Sequence, residues 1–147
     1  MTFFTALLHN HLLMNALYGW AVAQILKTII NAITNKTLDW SRLIGDGGMP
    51  SGHSATVCAL ATTAAMEYGA ASPYFGISVV LGIIVMHDAM GVRMEAGKHA
   101  QALNELLELV SNIDIDPEEK LKELLGHTPL QVCVGGLLGI AVSLLLG

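Results

Sequence analysis

Apolar residues in this chain are gathered into long runs instead of being spread evenly. Four stretches are largely free of Lys, Arg, Asp and Glu: Phe3–Ile33, Ala55–Tyr68, Tyr74–Met86 and Leu130–Leu146. Each stretch, with its flanking residues, approaches the roughly 20 residues that a helix needs to cross a bilayer. The pattern predicts an all-α integral membrane bundle of about four transmembrane helices, with a fifth short helix if the long first run is divided.

The composition supports a membrane location for a single domain spanning residues 1–147. Charged residues make up 13% of the chain and the mean hydropathy is +0.58, which is too apolar for an ordinary soluble domain. We therefore expect a protein of the cell membrane, without a nucleic-acid partner. Cys58 and Cys133 both fall inside apolar runs, so they are expected to be buried thiols and not a disulfide or a metal site.

The polar part of the chain lies between the third and fourth apolar runs, over residues 93–126. Apolar residues in Glu95–Val110 recur at helical spacing and predict an amphipathic helix. Asp116, followed by Pro117 and two glutamates, predicts the start of a second short helix that ends at Gly126. The insertion therefore consists of two amphipathic helices, and His127 lies in a tight corner before the last run.

The second apolar run begins with a stretch that is typical of an anion-binding helix start. Residues 47–56 combine two glycines, Pro50, the favourable N-cap residue Ser51, and His53 in the first helical turn. A helix N-terminus attracts negative charge, and glycines let backbone N–H groups approach a ligand. An ordinary capped helix would show the same pattern, so this stretch alone does not decide a function.

Successive membrane crossings bring distant polar residues to one end of the predicted bundle. The first run ends near Lys27 on the face where the second begins, and the third run returns His87 and Asp88 to that face. The residues expected to converge there are Lys27, Arg42, Ser51, His53, Arg93 and His127. Lys27 is notable because an ammonium group within an apolar run is costly and has either a partner or a path to the surface.

This set of residues suits a phosphate group. Cations and helix N–H groups bind its oxygens, while one histidine attacks phosphorus and the other protonates the departing oxygen. Because lysine and arginine supply the electrostatic stabilisation, we expect neither a metal nor a cofactor. Two alternatives remain. In the first, the cations only set the membrane topology and the histidines cap helices. In the second, a metal ion is held by His53, His87, Asp88 and His127.

Three motifs resemble the divergent branch of the type 2 phosphatidic acid phosphatase family, which is related to acid phosphatases and vanadium haloperoxidases. They are Gly47 to Ala55, Asp88 to Arg93, and Leu125 to Val132. The resemblance implies a helical phosphatase-like domain in which His53 protonates the leaving group and His127 is the nucleophile. It also implies phosphate-binding roles for five residues: Lys27, Arg42, Ser51, Gly52 and Arg93. Gln131 and Asp88 are the candidate orienting residues.

The chain departs from the family pattern in three places. Lys27 and Arg42 are far apart and no proline follows Arg42, and the polar insertion separates Arg93 from His127. Gln131 stands where the family has an aspartate that orients the nucleophile. A glutamine accepts a hydrogen bond from imidazole but cannot stabilise its cation with a charge.

We expect a membrane phosphatase that acts on a phosphorylated lipid or polyprenyl substrate. The alternative is a non-catalytic membrane protein that binds lipid headgroups or other anions. A vanadate-dependent haloperoxidase is a more distant alternative.

All seven basic residues fall on the side of the expected site, so the positive-inside rule places that side in the cytoplasm.

Overall fold

The computed structural model describes residues 2–36, 40, 48–111, 121 and 126–146. These ranges contain six helices and no strand: α1 (Phe3–Leu8), α2 (His11–Asn35), α3 (Gly52–Tyr68), α4 (Pro73–Met90), α5 (Val92–Ser111) and α6 (Pro129–Leu146). The all-α prediction is confirmed. Four of these helices correspond to the four apolar runs, and α5 to the first amphipathic helix of the polar insertion.

The first apolar run is divided between α1 and α2. Asn10 is the N-cap of α2, and its side-chain oxygen accepts a hydrogen bond from the Leu13 N–H at 3.1 Å. A cap of this kind starts a new helix because its side chain satisfies an N–H group that has no partner within the helix. The fifth, short helix that the sequence allowed is therefore α1, whose six residues are too few to cross a bilayer.

The central element of the bundle is α3, which packs against α2, α4 and α6. Close packing against α6 depends on glycine. A Cβ atom added to Gly135 would collide with the carbonyl oxygen of Ser51, and one added to Gly139 would collide with that of Ala55. Glycines four residues apart leave a groove along one helix face, into which the backbone of α3 fits directly.

A chain of buried hydrogen bonds joins three helices of the bundle. The Asn15 amide on α2 donates to the Thr63 hydroxyl on α3 at 3.1 Å, and Thr63 in turn donates to the Ser143 hydroxyl on α6 at 3.2 Å. Ser143 then donates to the carbonyl oxygen of Ala59 at 2.9 Å. Polar contacts of this kind hold membrane helices together where lipid provides no hydrophobic driving force for association.

The outer surface of the bundle is apolar, as expected for contact with lipid. Within the described ranges, three helical stretches are long and apolar enough to cross a membrane: His11–Asn35, Pro73–Val110 and Pro129–Leu146. The fourth predicted crossing, α3, has 17 residues and runs at the centre of the others. Ile77, Ile83 and Ile84 on α4 are each at least 60% exposed. The protein is thus an integral membrane helical bundle.

Two described residues that follow α5 along the chain, Leu121 and Gly126, lie against α5. The buried side chain of Asn104 makes two hydrogen bonds of 3.0 Å with the backbone of Leu121, donating to its carbonyl oxygen and accepting from its N–H. Nearer the bundle, Gly126 lies against the backbone of Met94. The chain therefore returns towards the start of α5 before it enters α6. The predicted helix start at residues 116–119 lies outside the described residues.

Candidate functional site

The N-terminus of α3 is fixed to the start of α6. Ser51 is the N-cap of α3, as predicted, and its hydroxyl oxygen accepts hydrogen bonds from the N–H and the hydroxyl of Ser54. The Ser51 N–H donates to the carbonyl oxygen of Gln131 at 3.1 Å. Ser51 is completely buried, so it contributes to the site by holding two helix starts together.

His127 is held in its corner by two backbone contacts. Its N–H donates to the carbonyl oxygen of Ala89, near the end of α4, at 2.9 Å. The preceding residue, Gly126, has a φ of +89°, and a Cβ atom there would lie 2.6 Å from the Met94 nitrogen and 3.0 Å from the Arg93 carbonyl carbon. Glycine is the residue that fits this conformation without strain. The contact returns His127 to the vicinity of Arg93 despite the long insertion between them.

The two candidate catalytic histidines are neighbours. The ring centroids of His53, in the first turn of α3, and His127 are 5.9 Å apart, with an angle of 63° between the ring planes. His127 is only 3% exposed, whereas His53 is partly exposed. One histidine is therefore enclosed by the protein while the other faces a space that a ligand can enter.

Gln131 both caps α6 and contacts His127. The Thr128 N–H donates to Oε1 of Gln131 at 3.1 Å, and the Gln131 N–H donates to the Thr128 hydroxyl at 3.4 Å, which together form a capping box. The same Oε1 lies 3.2 Å from Nδ1 of His127. Because a backbone N–H can only donate, this atom of Gln131 is the oxygen, and Nδ1 must carry the proton. In neutral His127 the lone pair is then on Nε2, as a nucleophile requires.

Lys27 brings a positive charge to a cleft above the start of α3. The cleft has a volume of about 260 Å³ and is lined by Trp20, Gln24, Lys27, Gly52, His53, Thr56, Val57 and Val85. Lys27 is only 4% exposed and lies two turns before the end of α2. It also lines a smaller neighbouring cleft of about 140 Å³, in which Gly48 lies beside its side-chain methylenes. The cation is therefore recessed within the bundle.

The remaining predicted residues have different positions. Asp88 contacts Arg93, whose Nε donates to the carboxylate at 3.1 Å, and both side chains are partly exposed. Gly52 lines the cleft next to His53. Arg42, the fifth predicted phosphate-binding residue, lies outside the described residues.

The alternative metal site included His87, which is exposed at the end of α4. Among the residues that the structure describes, no three His, Cys, Asp or Glu side chains are close enough to hold a metal ion.

A sequence model described as the Divergent PAP2 family matches residues 8–142. The chain belongs to this family. It is also 40% identical over 151 aligned residues to the uncharacterized membrane protein YuiD of Bacillus subtilis (strain 168), an alignment that covers 95% of this chain and 96% of that protein. No solved structure matches the chain. The resemblance drawn from the three motifs is confirmed at the level of the family.

Two features of this divergent PAP2 protein were missed by reasoning from the sequence. The capping box has a local signature, Thr-x-x-Gln over residues 128–131, that identifies it without a structure. Gln24 has none: it is 6% exposed, lines the cleft, and its Oε1 is buried without a hydrogen-bond partner within the described part of the chain. An unsatisfied buried acceptor costs about 1–3 kcal/mol, which makes Gln24 a candidate for contact with a ligand.

Proposed function

We propose that this protein is a membrane phosphatase that hydrolyses a phosphomonoester or diphosphate of a lipid or polyprenyl alcohol through a phosphohistidine intermediate. The observation that carries the proposal is the close approach of His53 and His127, with ring centroids 5.9 Å apart, at the N-terminus of α3. Membership of the divergent PAP2 family supports a phosphatase-related role. The residue roles below are part of the proposal.

In the first step Nε2 of His127 attacks phosphorus and the bond to the leaving oxygen breaks. His53 donates its proton to that oxygen, and the electron pair of the broken bond stays with the departing alcohol or phosphate. Gln131 supports the attack because its Oε1 accepts from Nδ1–H of His127 and so directs Nε2 towards the substrate. A general acid of this kind contributes about 10²–10⁴-fold to a rate.

The cations stabilise the charge that develops on the phosphoryl oxygens. Lys27 lines the same cleft as Gly52 and His53. The guanidinium of Arg93 is bound by Asp88, and the backbone of Arg93 lies against Gly126, the residue before His127. Arg42 is proposed to join them. Fixed positive charges in a recessed site act without the reorganisation that water requires. The mechanism therefore needs no metal ion or cofactor.

The lining of the cleft favours a substrate with a phosphate at one end and an apolar chain at the other. Lys27 and His53 provide the polar end, whereas Trp20, Val57 and Val85 are apolar. These apolar residues lie further along their helices from the end at which α3 starts. A phosphorylated lipid or polyprenyl alcohol in the bilayer matches this gradient, because its tail can remain among apolar groups.

The distribution of basic residues favours a site on the cytoplasmic side. The order of the crossings assigns all seven lysines and arginines to the membrane side that carries the site. They are Lys27, Lys36, Arg42, Arg93, Lys98, Lys120 and Lys122. Without the three proposed phosphate-binding cations, four lysines remain against none on the opposite side. Basic residues in short loops set the orientation of membrane proteins.

A second function is favoured by Gln131. Glutamine cannot stabilise an imidazolium ion as a carboxylate does, so the pocket would bind a phosphate headgroup without turning it over. In that case the protein is a non-catalytic membrane protein that recognises lipid headgroups or other anions. This alternative predicts binding of a phosphorylated lipid without release of phosphate.

The two functions are separated by an assay of purified protein in detergent with p-nitrophenyl phosphate and with a phosphorylated lipid. We expect phosphate release and a phosphoenzyme that persist in the presence of a chelator. His127→Ala should abolish both, and His53→Ala should slow the release of the alcohol. His87→Ala is the matched control, because this exposed histidine lies at the same end of the bundle. Full activity in His127→Ala would contradict the mechanism, and dependence on a divalent metal would favour a metal site.

A further inference from the structure

Gln24 lies on α2, one turn before Lys27, and faces the same cleft as His53. Its side chain is buried, and its Oε1 has no hydrogen-bond partner among the described residues. A buried acceptor without a donor is rare in folded proteins and calls for an explanation. Because Oε1 can only accept, the missing partner is a group that carries a hydrogen atom, such as water or a hydroxyl.

Gly52, at the start of α3, lies close to Oε1 of Gln24. A Cβ atom built at Gly52 would lie 3.7 Å from Oε1 of Gln24 and 3.5 Å from the Trp20 ring. The residue after Gly52 is His53, which lines the same cleft of about 260 Å³. That volume holds several water molecules, each of which occupies about 30 Å³. The cleft that both Gln24 and His53 line therefore has room for water.

We propose that Gln24 positions the water molecule that hydrolyses the phosphohistidine intermediate, an inference that rests on the proposed function. In this second step the water oxygen forms a bond to phosphorus while the bond between phosphorus and Nε2 of His127 breaks. The electron pair of that bond returns to Nε2. One water proton passes to His53, which had lost its proton in the first step, and Oε1 of Gln24 accepts a hydrogen bond from the other.

This assignment accounts for both hydrogen atoms of the water. A general base alone leaves the water free to rotate about one hydrogen bond, whereas two acceptors on different helices fix the direction of its lone pair. The second proton stays on the product phosphate, so no further proton acceptor is needed. His53 ends the step protonated and ready for the next substrate.

The test compares Gln24→Met, which keeps the length of the side chain but removes the acceptor oxygen, with Gln24→Glu, which keeps an acceptor. The substrate is p-nitrophenyl phosphate, and the readouts are the burst of p-nitrophenol, the steady-state phosphoenzyme, and transfer of phosphate to added glycerol. Loss of one hydrogen bond should slow the second step about tenfold. We expect Gln24→Met to keep the burst, accumulate phosphoenzyme, and transfer a larger share of phosphate to glycerol.

Thr28→Val is the matched control, because Thr28 is equally buried one turn further along α2 and its hydroxyl donates only to the Gln24 carbonyl oxygen in the described contacts. Thr28→Val should leave the burst and the share of phosphate transferred to glycerol unchanged. Gln24→Glu should hydrolyse the phosphoenzyme faster than Gln24→Met does. The melting temperature of each variant is measured alongside, so that a loss of folding is distinguished from a change in the second step.

Three results would overturn the inference. Gln24→Met with the same burst, phosphoenzyme level and partition as the unchanged protein would show that Gln24 does not act on water. Loss of the burst in folded Gln24→Met would assign Gln24 to the first step or to binding. If the unchanged protein forms no phosphoenzyme, the proposed function fails with it, a result that is seen before any Gln24 variant is made.

Discussion

Nδ1 of His127 lies 3.2 Å from Oε1 of Gln131, and the same oxygen accepts a hydrogen bond from the Thr128 N–H at 3.1 Å. One side chain thus completes the cap of α6 and fixes the tautomer of the candidate nucleophile. The capping box explains a glutamine at this position, because the box requires the length of Gln or Glu at the third helical residue.

The first prediction concerns this double role of Gln131. Gln131→Glu should keep the capping box and preserve or raise phosphatase activity, because a carboxylate also favours the charged form of the His127 imidazole. Gln131→Asp should preserve activity with a weaker cap, since its side chain is one methylene shorter. Gln131→Met should lower kcat about tenfold or more through loss of the orienting acceptor. Equal activity in the Met and Glu variants, measured by phosphate release, would show that Gln131 does not orient His127.

The second prediction tests whether Gly126 holds His127 in place. Gly126→Ala should abolish activity, because its Cβ would lie 2.6 Å from the Met94 nitrogen at a φ of +89°. Gly69→Ala is the matched control: Gly69 has a φ of +81° with no atom within 4 Å of its Cβ position. Both changes introduce backbone strain of about 1–3 kcal/mol, so both should lower the melting temperature. Activity should be lost in Gly126→Ala alone, and an active Gly126→Ala protein would contradict the role of this contact.

The third prediction concerns the packing of α6 on α3. Gly139→Ala should destabilise the bundle by about 1–3 kcal/mol or more, because the added methyl group would push the two helices apart. Gly76→Ala on α4 has open space around its Cβ position and should be neutral or stabilising, since alanine favours helix over glycine. The measurement is thermal unfolding in detergent. Equal melting temperatures for the two variants would show that α6 approaches α3 less closely than described.

The fourth prediction concerns the orientation in the membrane. After Cys58 and Cys133 are changed to Ala, single cysteines are introduced at Ala71, in the exposed turn between α3 and α4, and at Gln101, on the exposed surface of α5. On intact cells an impermeant maleimide should label the cysteine at position 71 and not the one at position 101. Both should react after the membrane is permeabilised, which controls for accessibility. Labelling in the opposite order would place the site outside the cell.

Much of the bundle could be predicted from local signals. The apolar runs determine where helices form because an uncharged run of this length is stable in lipid, and the caps at Ser51 and Thr128 mark helix starts because they satisfy nearby N–H groups. The order of crossings then brings Lys27, His53 and His127 to one end of the bundle. None of these inferences requires a partner that is distant in the sequence.

The tertiary structure alone decided which helix lies at the centre and how the site is assembled. The burial of Gln24 with an unpartnered oxygen depends on the start of α3 lying against α2, and the return of His127 to Arg93 depends on the contact between Gly126 and Met94. The carbonyl oxygen of Ala89, which accepts a hydrogen bond from the His127 N–H, is likewise a neighbour through space. Such contacts depend on how closely one backbone segment packs against another, and the pattern of apolar and polar residues along a chain does not predict that packing.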